Sequence, residues 1–174
     1  MDSTLKERFT SEVLSGDSDH YSFFRSIESE ESEIILDLCR WIISTIEYNG
    51  NPSVVKAAFT KLAHLRDLTS FSELKKIEDR WQNTYNNEYE YLIALFENAA
   101  KGQRCNCDVY QDGRFNVPPY QDDLDEIGRS VREYEGHMTT ELIHVRCKIC
   151  KRGWEVEVDS FYHYPHSHWR RKDV

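Results

Sequence analysis

Four of the five cysteines fall in two close pairs, Cys105-x-Cys107 and Cys147-x-x-Cys150. A thiolate is a soft anionic donor, and four thiolates placed tetrahedrally satisfy a zinc ion with no coordination position left open. One turn can supply two ligands, and a second segment folded beside it can supply the other two. The odd cysteine count, without an export signal, favours a reducing compartment, where paired cysteines more often hold metal than form disulfides.

The cysteine pattern resembles a zinc ribbon over residues 104 to about 160, although its first pair is separated by one residue instead of two. The resemblance implies a structural Zn²⁺ whose ligands are Cys105, Cys107, Cys147 and Cys150. Because of the short first spacing, either both members of that pair coordinate the ion or a histidine replaces one of them. A closed four-thiolate site stabilises a small fold and leaves no position for water activation. We therefore expect a structural zinc and no catalytic residue.

Cys39 and a group of histidines are the other residues whose chemistry draws interest. Cys39 stands in an apolar helical stretch, and apolar surroundings raise the pKa of a thiol, so we expect it to be buried and inert. Three histidines follow among four aromatic residues near the end of the chain: His163, His166 and His168. They either face solvent from an aromatic strand or loop packed on the ribbon, or form a second metal site, a nucleotide-stacking surface or a pH-sensitive contact.

The first hundred residues are predicted to be helical. Apolar residues recur at helical spacing in four stretches, whose predicted starts lie at Thr4, the acidic run 28–33, Asn51-Pro52 and Ser70. The fourth stretch runs towards Gly102 and is either kinked or split into two shorter helices at its asparagine cluster. Residues 19–27 form either a short helix or a packed connector. Short connections between the stretches favour antiparallel neighbours and hence a helical bundle.

The composition changes after Gly102, where helical periodicity gives way to cysteine, glycine, proline and aromatic residues. Residues 141–147 and 154–158 alternate between polar and apolar side chains, which predicts two strands joined by the turn that contains the second cysteine pair. Residues 117–136 are predicted to form a long connecting segment that includes a short helix from Asp122 to Tyr134.

These elements predict an α+β fold with two domains. A helical bundle over residues 1–102 precedes a small antiparallel β module over residues 103–174. We expect a zinc site to stabilise this module and the module to pack on the bundle.

The charge distribution indicates the kind of partner. The formal charge of −9 opposes general nucleic-acid binding and suits a partner with a basic surface. Residues 143–174 nevertheless carry +3, so the first 142 residues carry −12. Acidic runs can support helix starts through the macrodipole, or they can attract a basic partner. The candidate partner contacts are Glu28, Glu30, Glu31, Glu33, Asp122, Asp123, Asp125 and Glu126.

No phosphate-cradling glycine loop, nucleophile elbow, HExxH helix or EF-hand loop occurs, and no apolar run is long enough to cross a bilayer. We therefore expect a non-catalytic, cytoplasmic protein-binding module. In size, charge and absent catalysis it is similar to the bacterial immunity proteins, which implies a basic toxin domain as partner, neutralised by occlusion of its active site.

Two alternatives remain open. The chain could be a zinc-ribbon nucleic-acid-associated or regulatory protein, with contacts from Lys148, Lys151 and Arg152. It could also be an enzyme that uses the histidine-rich tail.

Overall fold

The computed structural model of the chain describes residues 3–81, 87–134, 138–160 and 164–172. Within these ranges it contains seven α-helices and one four-stranded antiparallel sheet, which confirms the predicted α+β class. The chain forms two compact units, Met1–Gln82 and Asn83–Val174. Among the described residues, no helix combines the length and the apolar character that a membrane span needs.

Five helices make up the first unit. Their bounds are α1 Ser3–Phe9, α2 His20–Ser26, α3 Ser32–Thr45, α4 Pro52–His64 and α5 Phe71–Lys76. Pro52 stands at the first position of α4, where its missing N–H costs no hydrogen bond and its fixed φ suits the helix. Helices α3 and α4 pack against each other, and their buried residues follow the apolar stripes seen in the sequence.

Helix α1 continues into a π-helical turn over Thr10–Leu14 and ends before Gly16. Gly16 has a φ of 88°, a left-handed value that glycine adopts without a steric penalty. Asp19 then caps α2, since its Oδ1 accepts a hydrogen bond from the backbone N–H of Ser22 at 2.9 Å. Residues 19–27 therefore include a short helix, because the cap satisfies one of its free N–H groups.

Aromatic side chains from three helices lie in the centre of the first unit. The Phe9 ring meets Phe23 and Trp41 edge-on, with centroid distances of 5.0 and 6.3 Å. Cys39 and Ile42 on α3 have no exposed surface. Burial raises the pKa of the Cys39 thiol to about 12, as expected for an unreactive structural cysteine.

An ion pair joins α3 to the segment that follows α4. Arg40 donates two hydrogen bonds to Asp67, at 2.9 and 3.1 Å. The hydroxyls of Ser70 and Thr69 donate to the same carboxylate at 2.6 and 2.7 Å. The Asp67 side chain is only 3% exposed, and its burial opposes ionisation. These hydrogen bonds outweigh burial and hold the pKa of Asp67 well below its usual range.

The stretch predicted as a kinked or divided fourth helix is divided. Helix α5 ends at Lys76, a 3₁₀ turn covers Glu78–Arg80, and helix α6 covers Glu88–Ala100. Residues 82–86, with part of the asparagine cluster, lie outside the described residues. Asn87, at the start of α6, has a left-handed backbone with a φ of 49°, and asparagine is one of the few residue types that adopt this region.

The second unit contains α6, a short helix α7 over Cys107–Tyr110, and the sheet. Its strands are β1 Leu124–Tyr134, β2 Met138–Cys147, β3 Gly153–Asp159 and β4 His166–Lys172. They lie in sequence order, each antiparallel to the next, so β2 and β3 confirm the two predicted strands. Ile143, Val156 and Trp169 lie opposite one another across three strands, on the face that buries Val145 and Trp154.

The predicted helix from Asp122 to Tyr134 is wrong, because this segment forms strand β1. Its pairing with β2 runs from Leu124 opposite Cys147 to Tyr134 opposite Met138, with one irregularity between Glu126 and Gly128. The acidic start of the segment resembles a helix N-terminus. The segment nevertheless becomes a strand because it pairs along its length with β2, and strand formation depends on such cross-strand contacts more than on intrinsic propensity.

The described part of the histidine-rich tail contains the edge strand β4, which begins at His166. Asn116, with a φ of 46°, binds its start through both side-chain groups: Oδ1 accepts from Ser167 N at 2.6 Å and Nδ2 donates to Pro165 O at 3.0 Å. The Trp169 indole N–H donates to the carbonyl of Val117 at 2.7 Å. From His166 onwards the tail is thus a strand packed in the second unit, with His166 half-buried and His168 exposed. His163 lies outside the described residues.

Helix α6 belongs to the second unit, together with the cysteines and the sheet. This unit therefore begins before the change of composition at Gly102, on which the predicted division into residues 1–102 and 103–174 depends.

Candidate metal centre

The second cysteine pair occupies the turn between β2 and β3. Strand β2 ends at Cys147, whose N–H donates to the carbonyl of Arg152 at 3.0 Å and whose carbonyl accepts from Lys151 N at 3.0 Å. Lys151 has a φ of 61°, which closes the turn in a left-handed conformation. The backbone N–H of Cys150 points at the Cys147 sulfur at 3.4 Å. The turn therefore directs both thiols to one side.

The first pair lies between α6 and α7. Gly102, with a φ of 73°, ends the helical path after α6. The buried Asn98 side chain donates to the carbonyl of Cys105 at 2.8 Å, and Cys107 begins α7. A side chain of α6 thus fixes the backbone that presents the first thiol.

The structure brings the four predicted ligands together. The sulfurs of Cys105, Cys107, Cys147 and Cys150 all lie within 4.8 Å of one another, and they are free thiols. The Cys107 and Cys150 sulfurs are 3.7 Å apart. Four sulfurs at about 2.3 Å from a central Zn²⁺ in a tetrahedron lie about 3.8 Å from one another. The cluster therefore has the size of a four-thiolate metal site, and both cysteines of the short first spacing belong to it.

The protonation of the thiols depends on burial and on Arg152. Burial raises the pKa of Cys107 above its ordinary value, and the neighbouring thiols act in the same direction. Burial also raises the pKa of Cys105. At Cys150 burial is outweighed by hydrogen bonds from the backbone and the guanidinium of Arg152, which lower the pKa to about 7. A cation between the sulfurs would favour thiolates throughout, because it supplies the missing positive charge.

Hydrogen bonds outside the cluster hold the two cysteine segments in position. Arg152 Nη1 donates to Asp108 Oδ1 at 2.9 Å, which links the turn after Cys150 to the residue after Cys107. Lys148 donates its backbone N–H to the carbonyl of Asp123 at 2.9 Å and its ammonium to the carbonyl of Asp122 at 2.7 Å. The ligand-bearing segments are therefore held in place by groups that are not ligands themselves.

A chain of buried polar groups continues from the first cysteine pair into the unit. Asn106, between the two cysteines, donates to the hydroxyl of Tyr110 at 3.4 Å, and Tyr110 donates to Asp123 Oδ1 at 2.8 Å. Sequence reasoning did not find Asn98, Asp108 or Arg152 as supporting residues. The only local signal is that Asp108 and Arg152 stand next to or near a cysteine in the chain.

The two acidic runs differ in their surroundings. Glu28, Glu30, Glu31 and Glu33 are exposed in the first unit, and none of the four is in an ion pair within the part of the chain that the structure describes. In the second unit Asp123 turns inward to Tyr110, Asp125 lies 3.8 Å from Lys148, and Glu126 pairs with Arg129 at 2.9 Å. Among the described residues the carboxylates of the first run therefore lack such ion pairs, although Glu33 interacts electrostatically with Arg40.

His166 and His168, the two described histidines of the tail, do not gather into a metal site. Over the four described ranges, the cysteine cluster is the one group of three or more potential metal ligands, and His166 and His168 are not part of it. The alternative of a second metal site therefore has no support from these two residues.

No protein family, curated protein or solved structure matches the chain. The resemblance to zinc ribbons thus depends on the cysteine cluster alone, and the similarity to immunity proteins is supported by no relative.

Proposed function

We propose that the four cysteines hold a structural Zn²⁺ that fixes the second unit. The observation that supports this proposal is the convergence of four sulfurs from two distant segments at a spacing suited to tetrahedral thiolate coordination. Among the metals that prefer soft ligands, zinc is the usual occupant of a closed four-thiolate site. Cys105 and Cys107 would bind from the start of α7, and Cys147 and Cys150 from the turn between β2 and β3.

The bound ion would stabilise the fold and would take no part in a reaction. Four protein ligands fill its coordination shell, so no position is left for a water or a substrate. The ion would join segments about 40 residues apart in sequence beside the Arg152–Asp108 pair. This arrangement suits a small unit whose core is supplemented by a metal.

We further propose that the chain is a non-catalytic, cytoplasmic docking protein for a partner with a basic surface. The proposal is supported by the exposed run Glu28, Glu30, Glu31 and Glu33, whose charges are not neutralised by internal ion pairs of the described residues. Complementary charge speeds association and fixes the partner's orientation. A toxin domain neutralised by occlusion, as with an immunity protein, is the more specific form of this proposal.

The experiment is capture of partners from an extract of the host by the full chain, followed by binding measurements with the purified partner. The test variant carries Glu28→Lys, Glu30→Lys and Glu31→Lys. The control variant carries Glu73→Lys, Glu78→Lys and Asp79→Lys, which makes the same charge change at exposed positions of the same unit.

We expect a stoichiometric basic protein whose affinity falls in the test variant and with rising salt, and remains close to the original value in the control. Equal affinity of all three chains would contradict the proposed contact surface. Retention of nucleic acid with a steep salt dependence would favour the nucleic-acid alternative. Internal contacts of two of its basic residues weaken that alternative. Arg152 pairs with Asp108, and Lys148 contacts the carbonyl of Asp122 and the carboxylate of Asp125.

A further inference from the structure

The four cysteines of the cluster differ in exposure. Cys105, Cys107 and Cys147 are buried, whereas Cys150 is partly accessible to solvent. Cys150 lies in the turn between Lys148 and Arg152, and Lys148 and Lys151 beside it are exposed. A small uncharged or anionic reagent would therefore reach the Cys150 sulfur first.

Cys150 also has a reaction partner close by. Its sulfur is 3.7 Å from that of Cys107, which is fully buried and stands on the other ligand-bearing segment. A disulfide needs a sulfur separation of about 2.05 Å, so the two atoms must approach by less than 2 Å or so. Cys150 lies in the turn between the two strands, since β2 ends at Cys147 and β3 begins at Gly153.

We propose that the cluster is a peroxide-sensitive metal site, in which a hydroperoxide oxidises Cys150 and the Cys107 thiolate then closes a Cys107–Cys150 disulfide that releases the metal. This inference rests on the proposed zinc site and concerns its regulation. Arg152 follows Cys150 by two residues and pairs with Asp108 at 2.9 Å, so it brings a positive charge to the side of the cluster where hydroxide leaves.

The two steps balance with hydrogen peroxide as the oxidant. The Cys150 thiolate attacks one peroxide oxygen, the O–O bond breaks, and Cys150 sulfenic acid and one hydroxide ion form. The Cys107 thiolate then attacks the Cys150 sulfur, the S–O bond breaks, and a second hydroxide ion leaves as the disulfide forms. The two sulfurs lose two electrons, and these reduce the peroxide. Loss of two of four thiolate ligands frees the metal.

The disulfide would join the same two segments that the metal joins, but without Cys105 and Cys147. Those two thiols would lose their cation inside a buried site. We therefore expect the oxidised unit to open around α7 and the β2–β3 turn, and a thiol reductant with added Zn²⁺ to restore the original state.

The test uses the full chain, reduced and loaded with Zn²⁺, and treated with hydrogen peroxide. A chromophoric zinc indicator reports release, and peptide mapping by mass spectrometry at short times identifies the first disulfide. Cys39 serves as an internal control, because it is fully buried in the first unit and should stay reduced. A Cys39→Ala variant should release zinc at the original rate.

We expect about one equivalent of zinc to appear together with the Cys107–Cys150 disulfide. Zinc that stays bound while a small free thiol in the same solution is oxidised would overturn the inference, and so would a first disulfide with any other pairing. A Cys150→Ser variant that still binds zinc should release it far more slowly under peroxide, and an unchanged rate would also overturn the inference. A reduced chain that binds no zinc at all would instead refute the proposed metal site itself.

Discussion

The pair Arg152–Asp108 allows a graded test of how the protein supports its metal site. Arg152 interacts with both Asp108, at 2.9 Å, and the Cys150 thiol, whose pKa it lowers against the effect of burial, whereas Asp108 also accepts a hydrogen bond from Gln111 Nε2 at 3.4 Å. Replacing Arg152 by Gln removes both contacts and one positive charge beside a site that carries four thiolates. Replacing Asp108 by Asn removes the ion pair and keeps a side-chain oxygen that can still accept the hydrogen bond from Gln111.

The expected magnitudes follow from exposure. The Arg152 and Asp108 side chains are 31% and 46% exposed, so solvent screens their ion pair and its loss should cost about 0.2 to 1 kcal/mol. Asp108→Asn should then weaken zinc binding by no more than about fivefold. Loss of a group that hydrogen-bonds a metal ligand typically lowers affinity by about 10- to 100-fold, which we expect for Arg152→Gln.

The assay is competition for Zn²⁺ against a chromophoric chelator, with Co²⁺ substitution to compare the thiolate absorption bands of each variant. Arg146→Gln is the matched control, because Arg146 is an exposed arginine on the same strand as Cys147 and has no hydrogen bond to the cluster among the described contacts. Unchanged affinity in Arg152→Gln, or a larger loss in Asp108→Asn than in Arg152→Gln, would refute this reasoning.

The remaining predictions concern stability and metal dependence. Asp67→Asn should destabilise the first unit by about 2 to 3 kcal/mol in urea unfolding, because it disrupts the hydrogen bonds of a buried carboxylate with the half-buried Arg40. Since the pKa of Asp67 is lowered in the folded state, its contribution exists above the unfolded pKa of about 4 and is lost at lower pH, so the difference between the two chains should shrink on acidification. A chelator should raise hydrogen exchange at residues 105–110 and 147–153 and leave α3 and α4 unchanged; equal effects in both units would contradict a local site. Asn116→Ala should cost about 1 to 3 kcal/mol, because it removes two hydrogen bonds to the start of β4 and places alanine at a φ of 46°, whereas Asn116→Gly should relieve the backbone part.

The parts of the fold that the sequence predicted well depend on local patterns. Helices α3 and α4 follow from apolar spacing and from Pro52, and β2 and β3 follow from alternation around the cysteine turn. The metal site could be predicted because thiol spacing within a turn is itself a local feature. That the two cysteine pairs would meet could be expected only from the chemistry of metal ligands. The spacing does not show how the 39 residues between the pairs bring them together.

The parts that the sequence did not predict depend on contacts between distant residues. Strand β1 has a helix-like acidic start and becomes a strand through its ladder with β2. The Arg152–Asp108 pair joins residues 44 positions apart and has no pattern in either neighbourhood. Asp123 belongs to an acidic run, yet it turns inward because Tyr110 offers it a hydroxyl. In each case a tertiary partner determines the role of the residue.

Native mass spectrometry of the reduced full chain shows directly whether one zinc ion occupies the cluster of Cys105, Cys107, Cys147 and Cys150. We expect about one zinc per chain, lost on treatment with a chelator under mild acid and reduced in a Cys147→Ser variant but not in Cys39→Ala. A reduced, folded chain without metal that takes up none from added Zn²⁺, or zinc that survives replacement of the clustered cysteines, would contradict it.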